Sequence, residues 1–233
     1  DDKDRVVKKT DGEWTYAAAD IAYLLDKSKR GFDHFVMVLG HDHHSYAVRL
    51  QGIRQALGLD RIDLAIILYQ LVTMKASGQL VQMSKRAGTM VTLKDVIDEV
   101  GKDVARFFYL NRKADAQLEF DLDLALKKTE ENPVYYVQYA YVRTGSILEK
   151  ATQKEFENIT IADAAHFGTH ESLLIKKIAS LKHLLEVIGS THQTHYLTYY
   201  TTELADIFHR YYAHNRVIEM NNIPQSRARL LLM

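Results

Sequence analysis

No cysteine occurs among the 233 residues. A disulfide framework is excluded, and any metal site would have to use histidine and carboxylate. Net charge is also missing: 30 Lys and Arg balance 30 Asp and Glu. No bulk attraction to nucleic acid or to an anionic membrane follows, so anion binding must rest on local patches. No apolar run reaches the ~18 residues of a membrane span. The opening DDKDRVVKKT has no apolar core of a signal peptide. There is no repeat at a fixed period and no low-complexity tract. The chain does not open on Met and closes on the apolar helical pattern SRARLLLM, which is the expectation for a fragment of a larger protein. What is present is an ordinary globular composition, 47% hydrophobic and 26% charged, enough for one large domain or two small ones.

Periodicity divides the chain in two. Near Thr15 a helix begins, with Ile21, Leu24 and Leu25 at helical spacing and Gly31 as its stop. His34 to Gly40, HFVMVLG, is a short apolar run expected to be a buried parallel strand. HDHHSYAVRLQGIRQALG then reads as a helix ending at Gly58. LYQLVTM and GQLVQM flank Lys75-Ala76-Ser77-Gly78, a hairpin signal with glycine in the loop. Thr92 to Asp95 suits an N-cap with an acid three residues on. That helix is expected to stop at Gly101, with another from about Asp103. Beyond Phe120 the patterns are helical. Leu173, Leu174, Ile178, Leu181, Leu184, Leu185 and Ile188 form one amphipathic stripe, and Leu204, Ile207, Phe208, Tyr211 and Tyr212 a second. The expected architecture is an α/β part over 1–120 followed by an all-α helical bundle over 121–233.

Four constellations could carry chemistry. Tyr16 and Asp20 are four apart, on one face of a helix, with three alanines between them. A carboxylate beside a phenol suits a guanidinium or ammonium, although an exposed helix with an ordinary Asp reads the same way. Gly40-His41-Asp42-His43-His44 follows the strand. The carboxyl ends of parallel strands face a ligand crevice, where glycine allows close approach and Asp42 could accept from ribose hydroxyls. The same histidines could simply start a helix or belong to a metal site. Met83-Ser84-Lys85-Arg86 lies on a glycine-bounded loop that could carry positive charge to polyphosphate, or be a solvated basic turn. Tyr135, Tyr136, Tyr139 and Tyr141 with Arg143 crowd a helix behind Asn132-Pro133. Phenols beside a cation suit unstacked RNA bases, or interdomain packing.

Taken in order, TYAAADIAYLLDKSKRGFD, GHDHHSY, MSKRAGTMVTLKDVIDEVGKDVARFFYL, FDLDLA and NPVYYVQYAYVR resemble the blocks of the bacterial arginyl-tRNA synthetases, class I enzymes. The resemblance runs through Ala151 and more loosely beyond. It implies the second half of a Rossmann-like nucleotide-binding catalytic domain and most of a helical anticodon-binding domain. It implies a ligase that makes arginyl-adenylate from arginine and ATP, with Mg2+ entering only with ATP and no prosthetic group, and then esterifies tRNA(Arg). Tyr16, Asp20 and His44 would meet arginine, Asp20 taking the guanidinium. Gly40, Asp42, Met83 and Lys85 would meet ATP. Ser84, Lys85 and Arg86 would act in catalysis, Lys85 on the phosphate, and Tyr135, Tyr139 and Arg143 would face tRNA. No resident metal is implied, and a cytoplasmic monomer without membrane contact is expected.

Three departures stand out. Gln82 replaces the first lysine of the family's KMSKR loop, and His41 stands where a small residue is common. No HIGH or HxGH string precedes Tyr16, so the catalytic unit is expected to lie only partly in this chain and the chain alone to be inactive. Two other readings remain at this stage: a non-catalytic RNA-binding or regulatory module, and a histidine-based metal protein built on HDHH.

Overall fold

The computed structural model describes residues 6–81 and 91–233. The chain divides into two compact units, Asp1–Val72 with Ala114–Leu118, and Thr73–Lys113 with Glu119–Met233.

The first unit is built around one β-α-β crossover. A bridge between Lys8 and Trp14 turns at Gly12, where φ is +88°. It leads into α1 (Tyr16–Ser28). Strand β1 (His34–Gly40) runs into a 3-10 turn at His41–His43, then α2 (His44–Ala56), then β2 (Asp63–Tyr69). The strands are parallel and in register from His34 opposite Asp63 to Gly40 opposite Tyr69. Parallel neighbours need a crossover, and α2 supplies it. Leu24, Phe35, Leu50, Ile62 and Leu64 form the core where α1, α2 and the strands meet. Gln51 Nε2 donates to the Leu64 carbonyl at 2.8 Å, fastening α2 to β2.

Strand β1 is parallel as expected but not buried on both sides. Phe35 is buried, whereas Val36 and Val38 are exposed. The alternation is that of a strand with one covered face, and a continuous Val/Phe run cannot reveal which face lacks a cover. The segment LYQLVTM also does not form one hairpin arm. Leu68 and Tyr69 end β2, and the Gln70 N–H then bonds the Ala114 carbonyl at 2.8 Å. The hairpin is β3 (Val72–Ala76) with β4 (Gln79–Leu80). Ser77 and Gly78 both have positive φ, 52° and 72°, the backbone that two-residue hairpin turns require.

In the second unit β5 (Leu118–Asp121) joins this hairpin in the order β4-β3-β5. Lys75 Nζ lies 3.4 Å from carboxylate oxygens of both Glu119 and Asp121. Helix α3 (Leu93–Val100) opens on the expected capping box: the Thr92 N–H bonds Asp95 Oδ2 at 2.8 Å, and the Asp95 N–H bonds Thr92 Oγ1 at 3.2 Å. Gly101 turns the chain at φ +85° into α4 (Lys102–Leu110). Asp121 caps the short α5 (Leu122–Leu126). Phe120 is wholly buried against Phe108 and Tyr109, with ring centroids 5.3 and 5.2 Å away.

Helices α6 (Pro133–Lys150), α7 (Thr169–Thr191), α8 (His195–His214) and α9 (Ile223–Leu232) make the helical part. Asn132 starts α6: its Oδ1 accepts from the Val134 N–H, and its Nδ2 donates to the carbonyls of Ala125 and Lys127. Ile147, Phe156, Leu174, Phe208, Tyr211, Val217 and Leu230 form the core. The stripe expected along α7 is only partly used. Leu174 is buried, but Leu173, Ile178 and Leu185 are exposed. Periodicity marks which residues share a helix face, and it does not say how much of that face finds a partner.

Two arginines of α9 tie this part together. Arg227 donates to both Asp163 oxygens at 2.7 and 3.1 Å, and to the carbonyls of Glu155, Glu157 and Asn158. It thereby grips the connector between α6 and α7, whose own regular structure is two 3-10 turns. Arg229 Nε donates to Glu171 Oε1 at 3.2 Å. The Tyr211 hydroxyl gives the same oxygen a 2.8 Å bond, and the Gly168 N–H gives Glu171 Oε2 one of 2.9 Å. Glu171 is 2% exposed. Burial alone would raise its carboxyl, but the bonds from Tyr211, the backbone and Arg229 outweigh that and hold it below its ordinary value.

Candidate functional sites

In the first unit, Asp20 has a phenol partner, and it is Tyr46. The Tyr46 phenol on α2 neighbours the Asp20 carboxylate on α1 closely enough for the two to interact. Partial burial and this carboxylate push the phenol well above its usual range. Tyr16 is 92% exposed and lies beside an open depression bordered by Trp14, Ala18 and Ala19. The i,i+4 spacing does place Tyr16 on the helix of Asp20, yet a contact made from another helix is invisible to that spacing. Arg49, one turn beyond Tyr46, sits with its guanidinium 5.5 Å from the Tyr46 ring centre. Its Nε is buried and has no hydrogen-bond partner among the described residues.

At the carboxyl end of β1, the Asp42 side chain folds back over Gly40. A Cβ on Gly40 would stand 2.6 Å from Asp42 Oδ1. The Asp42 carboxylate is otherwise exposed, with His43 Nε2 3.7 Å away. His41 and His44 face each other loosely at 6.2 Å, and His44 is exposed. No group of three or more His, Asp or Glu able to hold a metal ion exists among the described residues, so HDHH does not converge on one point. Met83, Ser84, Lys85 and Arg86, with Gln82, lie outside the described residues.

In the second unit, Tyr135, Tyr139 and Arg143 come together as the sequence suggested. The Tyr135 and Tyr139 rings stack at 6.2 Å with an 8° tilt. The Arg143 guanidinium lies 4.3 Å from the Tyr139 ring centre and 4.7 Å from that of Tyr212 on α8. Both are cation–π distances. An open groove of about 890 Å3 runs beside them, bordered by Lys150, His214 and Arg216. Lys150 and Arg216 add two cations to Arg143 in a chain with no net charge. Three residues of this cluster escaped sequence reasoning: Tyr212, which was assigned to packing, Arg216, and His209. The only signal for them was a cation-rich turn, HNR, after an aromatic helix.

Taken together, an α/β portion with a strand-end glycine precedes a helical portion with an aromatic and cationic groove. Residues 137–233 match the DALR anticodon binding domain. Along its whole length the chain is similar to arginine–tRNA ligases. It is 48% identical to the arginine–tRNA ligase of Geobacter sp. (strain M21), over 100% of this chain and 42% of that protein. It is 43% identical to that of Aquifex aeolicus, over 99% of this chain and 41% of the relative. The chain thus spans about two fifths of the length of the curated relatives it matches. A solved Campylobacter jejuni structure, provisionally described as an arginyl-tRNA synthetase, superposes with a TM-score of 0.87 at 34% identity, over 100% of this chain and 51% of that one. The Thermus thermophilus arginyl-tRNA synthetase shares the fold at 17% identity and a TM-score of 0.79, over 97% of this chain and 47% of that one.

Proposed function

We propose that this chain is part of an arginine–tRNA ligase that activates arginine with ATP and transfers it to tRNA(Arg). The observation that carries the reading is the Asp20 carboxylate on α1, set beside the Tyr46 phenol in the unit that contains the strand end at Gly40. A carboxylate is suited to a guanidinium, which forms two parallel charge-assisted bonds. In this reading Asp20 takes the guanidinium of arginine, and Tyr16 and His44 close around the substrate. Gly40 and Asp42 lie against the ribose of ATP in a partial Rossmann-like fold, with Mg2+ entering as part of the ATP complex. Met83, Ser84, Lys85 and Arg86 supply the phosphate-binding loop, Lys85 neutralising charge that builds on the transferring phosphoryl group. Residues 1–120 belong to the catalytic part and 121–233 to the tRNA-binding part. Tyr135, Tyr139 and Arg143 offer stacking surfaces and a cation to tRNA. The protein acts as a cytoplasmic monomer. No helix of the described residues is long and apolar enough to cross a membrane.

Arginine-dependent pyrophosphate exchange tests the reading. The full-length protein that contains this chain should exchange, and Asp20→Ala should raise its KM for arginine by orders of magnitude. An unchanged KM would remove Asp20 from the site. The 233-residue chain by itself should stay at background.

A further inference from the structure

His209 sits between two groups that dictate which of its nitrogens carries the proton. Its Nε2 lies 3.1 Å from the Tyr136 carbonyl oxygen. A carbonyl can only accept, so Nε2 must donate. Its Nδ1 lies 3.4 Å from Arg143 Nη1. A guanidinium can only donate, so Nδ1 must accept. Both bonds are satisfied only by the neutral imidazole with its proton on Nε2. The ring also packs against two phenols: its centre is 4.4 Å from that of Tyr136, tilted at 47°, and 5.6 Å from that of Tyr139, stacked at 23°. Tyr136 is braced in turn by Asp206, which accepts from its hydroxyl at 3.5 Å and pairs with Arg210 at 2.6 Å.

Arg143 is a long side chain at the mouth of the groove, and its resting place is set from three sides. Tyr139 takes its Nη2 donor on the hydroxyl and its charge on the ring. Tyr212 presents a second ring. His209 is the third contact, and it reaches the guanidinium from α8 by a directed hydrogen bond. Without it the guanidinium keeps its two rings but loses an acceptor fixing its orientation about them.

We infer that His209 is a positioning residue for RNA binding: its unprotonated Nδ1 orients Arg143 between Tyr139 and Tyr212, so that the guanidinium is pre-set for a phosphate or base before RNA arrives. This rests on the reading of the α6–α8 face as an RNA-binding surface. Pre-setting matters because a free arginine loses rotamer entropy on binding, while an oriented one has already lost it. Glutamine can replace the histidine, since its amide offers a donor for the Tyr136 carbonyl and an oxygen for Arg143. Phenylalanine keeps the stacking and offers neither.

The test is a double-mutant cycle in the full-length protein, read as Kd for a tRNA(Arg) transcript by filter binding, with thermal melting to confirm the fold. Arg143→Ala should weaken binding about 10-fold. His209→Phe should weaken it by several-fold, ~3–10, and His209→Gln should stay within ~2-fold of wild type. His209→Phe added to Arg143→Ala should cause no further loss, because the histidine acts through the arginine. Wild-type affinity for His209→Phe with a weakened Arg143→Ala would overturn the positioning role. So would full additivity, or a glutamine variant as weak as phenylalanine. If Arg143→Ala itself binds normally, the RNA-binding reading of this face fails first, and the inference goes with it.

Discussion

The Tyr46 phenol on α2 neighbours the Asp20 carboxylate on α1, while Tyr16, on the same helix as Asp20, stands in solvent. The orientation of the carboxylate is therefore set by the packing of two helices rather than by one. In the full-length protein, Tyr46→Phe should raise the KM for arginine several-fold, because the carboxylate loses its neighbouring hydroxyl. Because Tyr46 does not touch the reacting atoms, kcat should change little. Steady-state pyrophosphate exchange would separate the two, and an effect confined to kcat would count against the assignment.

Gly40 is fixed by its neighbour rather than by its backbone. A methyl group there would press on the Asp42 carboxylate at 2.6 Å and displace it. The displaced atom ends a flexible, exposed side chain, so Gly40→Ala should melt within a few degrees of wild type. Its KM for ATP should nonetheless rise several-fold, since Asp42 would leave the strand end. A large drop in melting temperature with an unaltered KM would show that the glycine serves packing instead.

Glu171 is the most consequential buried carboxylate of the helical part. It receives bonds from Tyr211, Arg229 and the Gly168 backbone. Glu171→Ala would leave the Tyr211 hydroxyl without its acceptor and take one partner from the largely buried Arg229, which keeps Glu219 at 3.5 Å and the Arg216 carbonyl. Leaving a buried donor without its acceptor costs about 1–3 kcal/mol. Urea unfolding should show a loss of that order, with a smaller one for Glu171→Gln, which keeps the shape and some of the bonds.

Asp163 gives the helical part an acid limit. The Arg227 guanidinium and the Thr160 backbone hold its carboxyl down to about 2, against an ordinary 3.8. A carboxyl depressed in the folded state stabilises above its unfolded value and loses that contribution as pH falls through its folded value. The contribution of this pair should therefore be complete above about pH 4 and fade towards pH 2. Urea midpoints for wild type and Asp163→Asn should differ at pH 5 and converge as the pH approaches 2.

Local chemistry was legible in the sequence, and tertiary chemistry was not. The Thr92 and Asp95 box, the Asn132-Pro133 helix start and the Ser77-Gly78 turn follow from residues a few positions apart. So does the cluster of Tyr135, Tyr139 and Arg143, whose members are four apart on one helix. The partners that complete the sites come from far along the chain: Tyr46 for Asp20, His209 for Arg143, Arg227 for Asp163. No periodicity encodes them. The exposed Val36, Val38 and Leu185 fail for the same reason, since hydrophobic spacing gives a face and not its covering.

Arg227 also imposes an order of events. The connector from Ala151 to Gly168 has little regular structure of its own, and four of its residues are gripped by one side chain about 70 positions downstream. During synthesis α6, α7 and α8 leave the ribosome before that grip exists. Until α9 emerges the connector has packing such as that of Phe156 but not this grip, which leaves its backbone more open to a protease in a nascent chain.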